Sequence, residues 1–97
     1  MLIRLTKPFA NYESGQYLDN SNSTTAAMQS ALTAGAATQL PETPVKVRLR
    51  ANLSNPALPA SFYAGEVVSA PAQIPLALAY QITTQDHHFT QYGDLIP

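Results

Sequence analysis

The sequence predicts an α+β fold: a small β-rich domain of two ββα-like units sharing one sheet, followed by an extended C-terminal arm. Three observations predict it. The segments "LIRL" and "VKVRLR" each alternate apolar and basic residues, the period of a half-buried strand. Each is followed by a glycine turn, a second short strand and a helix-like stretch. The tail follows neither period. We therefore divide a single compact domain into 1–42, 43–83 and an arm, 84–97.

The first unit opens with a predicted hairpin. Ile3 and Leu5 point to one face of a strand, and Arg4 points to the other. Pro8 ends that strand because proline lacks the N–H that a sheet ladder needs. The turn in "ANYESG" contains Gly15, which adopts a positive φ without steric cost. The segment "QYLD" then returns as the second strand.

A helix of about ten residues follows in "NSNSTTAAMQSALTAG". Three residues are candidates for its N-cap: Asn22, Ser23 and Thr24. Four residues form its apolar stripe: Ala27, Met28, Ala31 and Leu32. Gly35 fits the left-handed position just after the helix. The segment "AATQL" beyond it reads as a third short strand, which Pro41 closes.

The second unit begins with the clearest alternation in the chain, "VKVRLRANL". Its apolar face comprises Val45, Val47, Leu49, Ala51 and Leu53, and its polar face comprises Lys46, Arg48, Arg50 and Asn52. This pattern favours a central strand whose polar face meets water or a partner. After a proline-rich loop, a glycine turn precedes a short strand at 66–69. The stretch "APAQIPLALAYQITT" has two interpretations, a helix with Pro75 in its first turn or a strand at "LALAYQITT".

The two units repeat the same order of elements. "IRL" at residue 3 matches "VRL" at residue 47, an offset of 44 (47 − 3), and Gly15 matches Gly65, an offset of 50 (65 − 15). The differences in spacing fall in loops, as a tandem duplication would leave them. The alternative is that hairpins followed by helices resemble one another without common descent.

Composition narrows the classes of function. Charged residues make up 11% of the chain, against roughly 25% in ordinary soluble domains. The net charge is −1, so we expect neither nucleic acid nor an anionic membrane as a partner. The cations of the second unit are interpreted as a solvated strand face. Cysteine is absent, which excludes disulfides and thiolate chemistry. No signal peptide or membrane-spanning run is recognised.

No catalytic, cofactor or metal site is predicted. His87 and His88 follow Asp86, but adjacent side chains of an extended segment point in opposite directions and do not easily share one ion. No serine lies in a nucleophile motif, the glycines form no phosphate loop, and the carboxylates are scattered. We expect a protein that is not an enzyme and takes no small-molecule substrate.

Candidate partner contacts lie in the proline-rich loop and in the C-terminal arm. They are Phe62, Tyr63, Phe89, Tyr92, Leu95 and Ile96. Aromatic and aliphatic anchors of this kind fit an arm that lies on a neighbouring subunit. A tail that packs back on its own domain is the alternative.

The segment "IRLTKPFANYESGQYLDNSNSTTAAMQSALTAGAATQL", and more weakly "VRLRANLSNPALPASFYAGEVV", resembles a short module of small virion structural proteins from tailed bacteriophages. The second half departs from the module in having Gln81 in place of a glycine and Pro75 in its helix. The resemblance implies a decoration, cement or neck-type protein, located in the virion after synthesis in the host cytoplasm. It implies capsid or neck proteins as partners and a homo-oligomer. The alternative is a phage-encoded interaction protein that acts on a host or assembly factor and is not retained in the particle.

Overall fold

The computed structural model describes residues 1–54, 58, 61–85 and 90–96. The chain divides into two units, Met1–Thr43 and Pro44–Pro97. The elements of the first unit are β1 (Leu2–Leu5), β2 (Tyr17–Asp19), α1 (Thr25–Thr33) and β3 (Ala37–Leu40). Those of the second are β4 (Val45–Leu49), β5 (Val67–Ala70), α2 (Leu76–Ile82) and β6 (Gly93–Ile96). The predicted α+β fold class is confirmed, and the division lies one residue after the predicted one.

In the first unit, β1 is the central strand of a three-stranded antiparallel sheet with the order β2-β1-β3. The alternation of β1 sends Ile3 and Leu5 to the face that meets Met28 and Ala31 of α1. Leu18 of β2 lies directly opposite Ile3 and joins the same core. Each fully buried aliphatic side chain of this size contributes about 1.5–3 kcal/mol relative to leaving it in water.

Local chemistry sets the ends of α1. Of the three predicted caps, Thr24 is the one used: its hydroxyl accepts a hydrogen bond from the N–H of Ala27 at 3.1 Å. Asn22 instead accepts from the N–H of Asp19 at 2.9 Å and so closes the turn before the helix. Gly35 follows the helix with a φ of +69°, as its position predicted.

The second unit has the corresponding sheet, in the order β5-β4-β6, with α2 packed against β4. The prediction of β4 as a central strand is confirmed. Its side chains Val47 and Leu49 are buried. The helical interpretation of "LALAYQI" is also confirmed. Pro75 stands at the N-cap of α2 with an extended ψ of 148°, where its missing N–H removes no helical hydrogen bond.

The predicted C-terminal arm is wrong for residues 93–96. These residues form β6, which pairs antiparallel with β4 through Val47 opposite Leu95 and Arg48 opposite Asp94. Close packing accompanies the pairing, because a Cβ on Gly93 would lie 2.8 Å from Val47 Cγ1. Residues 93–96 therefore pack on their own unit.

The predicted single shared sheet is also wrong, since the described strands form two sheets. The third strand of each unit explains why β1 and β4 do not pair with each other. β3 and β6 occupy the second edge of β1 and β4, so neither central strand keeps an edge for a strand from elsewhere. The units are ββαβ rather than ββα.

The two units correspond residue by residue along their sheets. Ile3 opposite Leu18 corresponds to Val47 opposite Val68, with offsets of 44 (47 − 3) and 50 (68 − 18). The turn glycines correspond as well. Gly15 (φ +86°) donates to the Leu5 carbonyl and Gly65 (φ +90°) to the Leu49 carbonyl, both at 2.8 Å. A tandem duplication predicts this correspondence in register, and duplication itself stays a prediction.

Candidate contact surface

The alternation of β4 builds one polar sheet surface in the second unit. We call it the outer face: Lys46, Arg48 and Arg50 from the β4 chain, Val67 and Ser69 from β5, and Asp94 and Ile96 from β6. The three cations are exposed while Val47 and Leu49 between them are buried, so the prediction of a wet basic face is confirmed. The first sheet has no basic row of this kind: in it, Arg4 lies with its guanidinium 5.0 Å from the centre of the Tyr17 ring.

One ion pair joins two strands of the outer face. Arg50 donates from Nε to Asp94 Oδ2 at 2.8 Å and from Nη2 to Asp94 Oδ1 at 2.6 Å, a bidentate fork. These hydrogen bonds lower the pKa of Asp94, and attraction to Arg50 and Arg48 acts in the same direction. Partial desolvation opposes them. The hydrogen bonds to Asp94 also raise the pKa of Arg50.

Most of the exposed large hydrophobic side chains were predicted as contacts. Tyr63 is 61% exposed, Tyr92 is 48% exposed and Leu95 is 44% exposed, while Ile96 is partly exposed. Tyr63 lies in the turn before β5. The backbone hydrogen bond from Arg50 N–H to the Tyr92 carbonyl, 2.7 Å, extends the β4–β6 ladder by one position. Continued alternation then places Tyr92 on the outer face.

One of the predicted contacts is not available on this surface, and another lies outside the described residues. Phe62 is buried, with 7% of its surface exposed, and its backbone forms an isolated antiparallel bridge with Leu53. Phe89 lies outside the described residues, as do His87 and His88. Among the described residues, no three His, Asp or Glu side chains cluster as metal ligands would. No helix in the described ranges has the length and hydrophobicity to cross a membrane.

Sequence reasoning missed three features of this surface. Val67 is 44% exposed, although it stands in an apolar pair with Val68. The alternation of β5 would have identified it, since one of two adjacent valines must face outward. Arg50 and Asp94 are 44 residues apart in the sequence (94 − 50). Their pairing could be predicted only by knowing the register of β6 on β4.

The third missed feature is a groove of about 600 Å³ at the start of β4, lined by residues 44–46, residues 69–72 and Ile96. Its lining is mostly apolar, and Lys46 is its charged residue. The groove is continuous with the outer face, because Lys46, Ser69 and Ile96 belong to both.

Comparisons with protein-family models, with curated proteins and with solved structures found no match.

Proposed function

We propose that this chain is a non-enzymatic structural protein of a tailed phage that binds and stabilises the capsid through protein–protein contacts. It acts as a decoration, cement or minor capsid protein, and its partners are capsid or neck proteins and further copies of itself. The resemblance of residues 3–40 to small virion proteins points to the particle. The low content of charged residues, 11%, fits a protein that remains bound to other proteins.

One observation about the surface carries the binding role. Among the described residues, the large hydrophobic side chains with the greatest exposure all belong to the second unit: Tyr63, Val67, Tyr92 and Leu95. Of these, Val67 and Tyr92 lie on the outer face, and exposed aromatic and aliphatic groups that share one surface are typical of a contact region. Each copy needs only modest affinity, because many copies on a repeating lattice add to high avidity.

Mass spectrometry of purified particles tests the location. We expect the chain at a fixed copy number per particle after washing in high salt. Absence from the particle would overturn the virion proposal and favour the interaction protein that is not retained.

A matched pair of variants tests the contact region. Leu95 and Gln39 occupy corresponding positions, opposite Val47 and Ile3 respectively, and both side chains are exposed. Leu95→Ala should reduce the amount of protein bound per capsid in a co-sedimentation assay, and Gln39→Ala should leave it unchanged. Equal binding by both variants would remove Leu95 from the contact.

A further inference from the structure

The outer face of the second sheet has an excess of positive charge. Arg50 is bound to Asp94, the one acid among the outer-face residues. Lys46 and Arg48 make no hydrogen bond or ion pair with any described residue, and both side chains are exposed. With three cations and one carboxylate among its residues, the outer face therefore carries a net positive charge that acidic groups of a partner can complement.

The spacing of these cations matches an extended chain. Alternate residues of a strand lie about 6.7 Å apart, since each residue rises about 3.3–3.4 Å. An extended segment with acidic residues at every second position has the same spacing. Its carboxylates can therefore lie over Lys46 and Arg48 at once, without distortion of either backbone.

The groove supplies a second, apolar element next to the same cations. It begins at Lys46 and is bordered by the backbone and small side chains of residues 69–72. Its volume of about 600 Å³ exceeds the space that one aliphatic side chain needs, and its apolar lining favours such a group over a charged one.

We propose that the outer face and its groove bind an extended acidic segment of a partner protein, with one aliphatic side chain in the groove and alternate carboxylates over Lys46 and Arg48. The inference rests on the proposed function, in which the partner is a protein of the particle. Charge complementarity requires the segment to be negatively charged, and the groove determines the position of its apolar residue.

Nucleic acid fits this surface less well. Binding to a phosphate backbone relies on many cation–phosphate contacts and, for single strands, on aromatic stacking. Three cations, one of which is bound to Asp94, and one tyrosine at the far end offer few such contacts, and the chain has a net charge of −1.

Fluorescence anisotropy with a labelled synthetic peptide tests the proposal. The probe is Leu-Thr-Asp-Thr-Asp-Thr, and its controls are the same peptide with lysine in place of aspartate and a labelled single-stranded oligonucleotide of twelve nucleotides. We expect the acidic peptide to bind more tightly than either control. Its affinity should fall as the salt concentration is raised.

Three variants assign the binding to the surface. The double variant Lys46→Gln with Arg48→Gln should lower the affinity for the acidic peptide by about tenfold, the combined effect of two exposed ion pairs. Ala72→Leu fills the groove and should lower the affinity for the acidic peptide by about threefold, as expected for loss of a partly buried aliphatic contact. Lys7→Gln removes an exposed cation from the first unit and should change nothing. Circular dichroism must show an unchanged fold in all three.

The outcomes separate this inference from the proposed function. No binding of the acidic peptide, equal binding of the lysine peptide, or tighter binding of the oligonucleotide would overturn the inference. If the double variant nevertheless still binds capsids as the parent does, the virion role stands and the acidic segment alone is rejected. A loss of capsid binding that parallels the loss of peptide binding supports both.

Discussion

At the scale of single residues, Gly93 shows how tightly β6 packs on β4. An added Cβ would lie 2.8 Å from Val47 Cγ1 and 3.0 Å from the Arg48 carbonyl oxygen. The corresponding position of the first unit, opposite Leu5, is Ala37, so the first sheet accommodates a Cβ there. Glycine is therefore a local requirement of the second sheet.

Gly93→Ala should destabilise the protein by about 1–3 kcal/mol, the usual cost of overpacking. Urea denaturation followed by circular dichroism measures the free energy of unfolding. Ala37→Gly is the reciprocal control and should cost less, roughly the 0.5–1 kcal/mol of a glycine in a strand. An unchanged stability for Gly93→Ala would mean that β6 shifts freely on β4.

The Arg50–Asp94 ion pair links stability to pH. Because the folded-state pKa of Asp94 is lowered, the stabilisation is fully present above the unfolded-state pKa, about 3.9. It is lost as the pH falls through the folded-state value. Both side chains are about half exposed, so we expect a small effect.

Asp94→Asn should lower the melting temperature slightly at pH 6, and the difference from the parent should shrink as the pH is lowered below about 3.9. Thermal unfolding over this pH range measures it. A difference that does not change with pH would mean that Asp94 stabilises the sheet by some means other than its charge. Glu66→Gln, an exposed carboxylate with no ion pair to a described residue, is the control.

At the scale of elements, the sequence was sufficient for the hairpins, for α1 and for the central position of β4, whereas it left α2 open between a helix and a strand. Their signals are local: alternation in β1 and β4, a Thr24 cap, and glycines at positive φ. β6 was missed because "GDLI" is short and has little alternation. The repeat contained the missing information, since a strand at Ala37–Leu40 predicts one at the corresponding place after α2.

The outer face was predictable only in part. Alternation identified Lys46 and Arg48 as exposed, but it gave no signal for the burial of Phe62 or for its bridge to Leu53, nine residues earlier (62 − 53). The groove depends on how β4, β5 and β6 end together. Such features arise from pairing between distant residues, which no local pattern encodes.

The segment between Leu53 and Phe62 gives a test of the correspondence between the units. Two residues, Ala10 and Asn11, separate Phe9 from Tyr12 in the first bridge, and this bridge corresponds to Leu53 with Phe62. Deleting residues 55–60 leaves Ser54 and Ser61 in the corresponding places. Because Ala10 has a φ of +52°, the deletion should carry Ser54→Gly as well.

We expect the shortened chain to fold with a free energy of unfolding within about 1 kcal/mol of the parent, because loop length affects closure entropy only weakly. The same deletion without Ser54→Gly is the control and should be less stable by about 1–2 kcal/mol, the cost of a left-handed non-glycine residue. Loss of the folded state in both versions would show that the two bridges are not equivalent.

At the scale of the whole molecule, each unit is complete in topology but small. The first unit has a cluster of five buried residues between its sheet and its helix, and the chain has no cysteine to reinforce it. Domains of about 40 residues usually need disulfides, metals or association to remain folded. Topological completeness and independent stability are therefore separate properties here.

A peptide of residues 1–43 should consequently lack a cooperative thermal transition, although the full chain should show one. Far-ultraviolet circular dichroism between 5 and 90 °C compares the two, and the peptide's spectrum should lack the helical signal of α1 because an isolated helix of nine residues is unstable in water. A fragment of residues 44–97 provides the size control. Sigmoidal unfolding of the shorter peptide would instead show that one ββαβ unit stabilises itself, and the size argument would then fail for both halves of the chain.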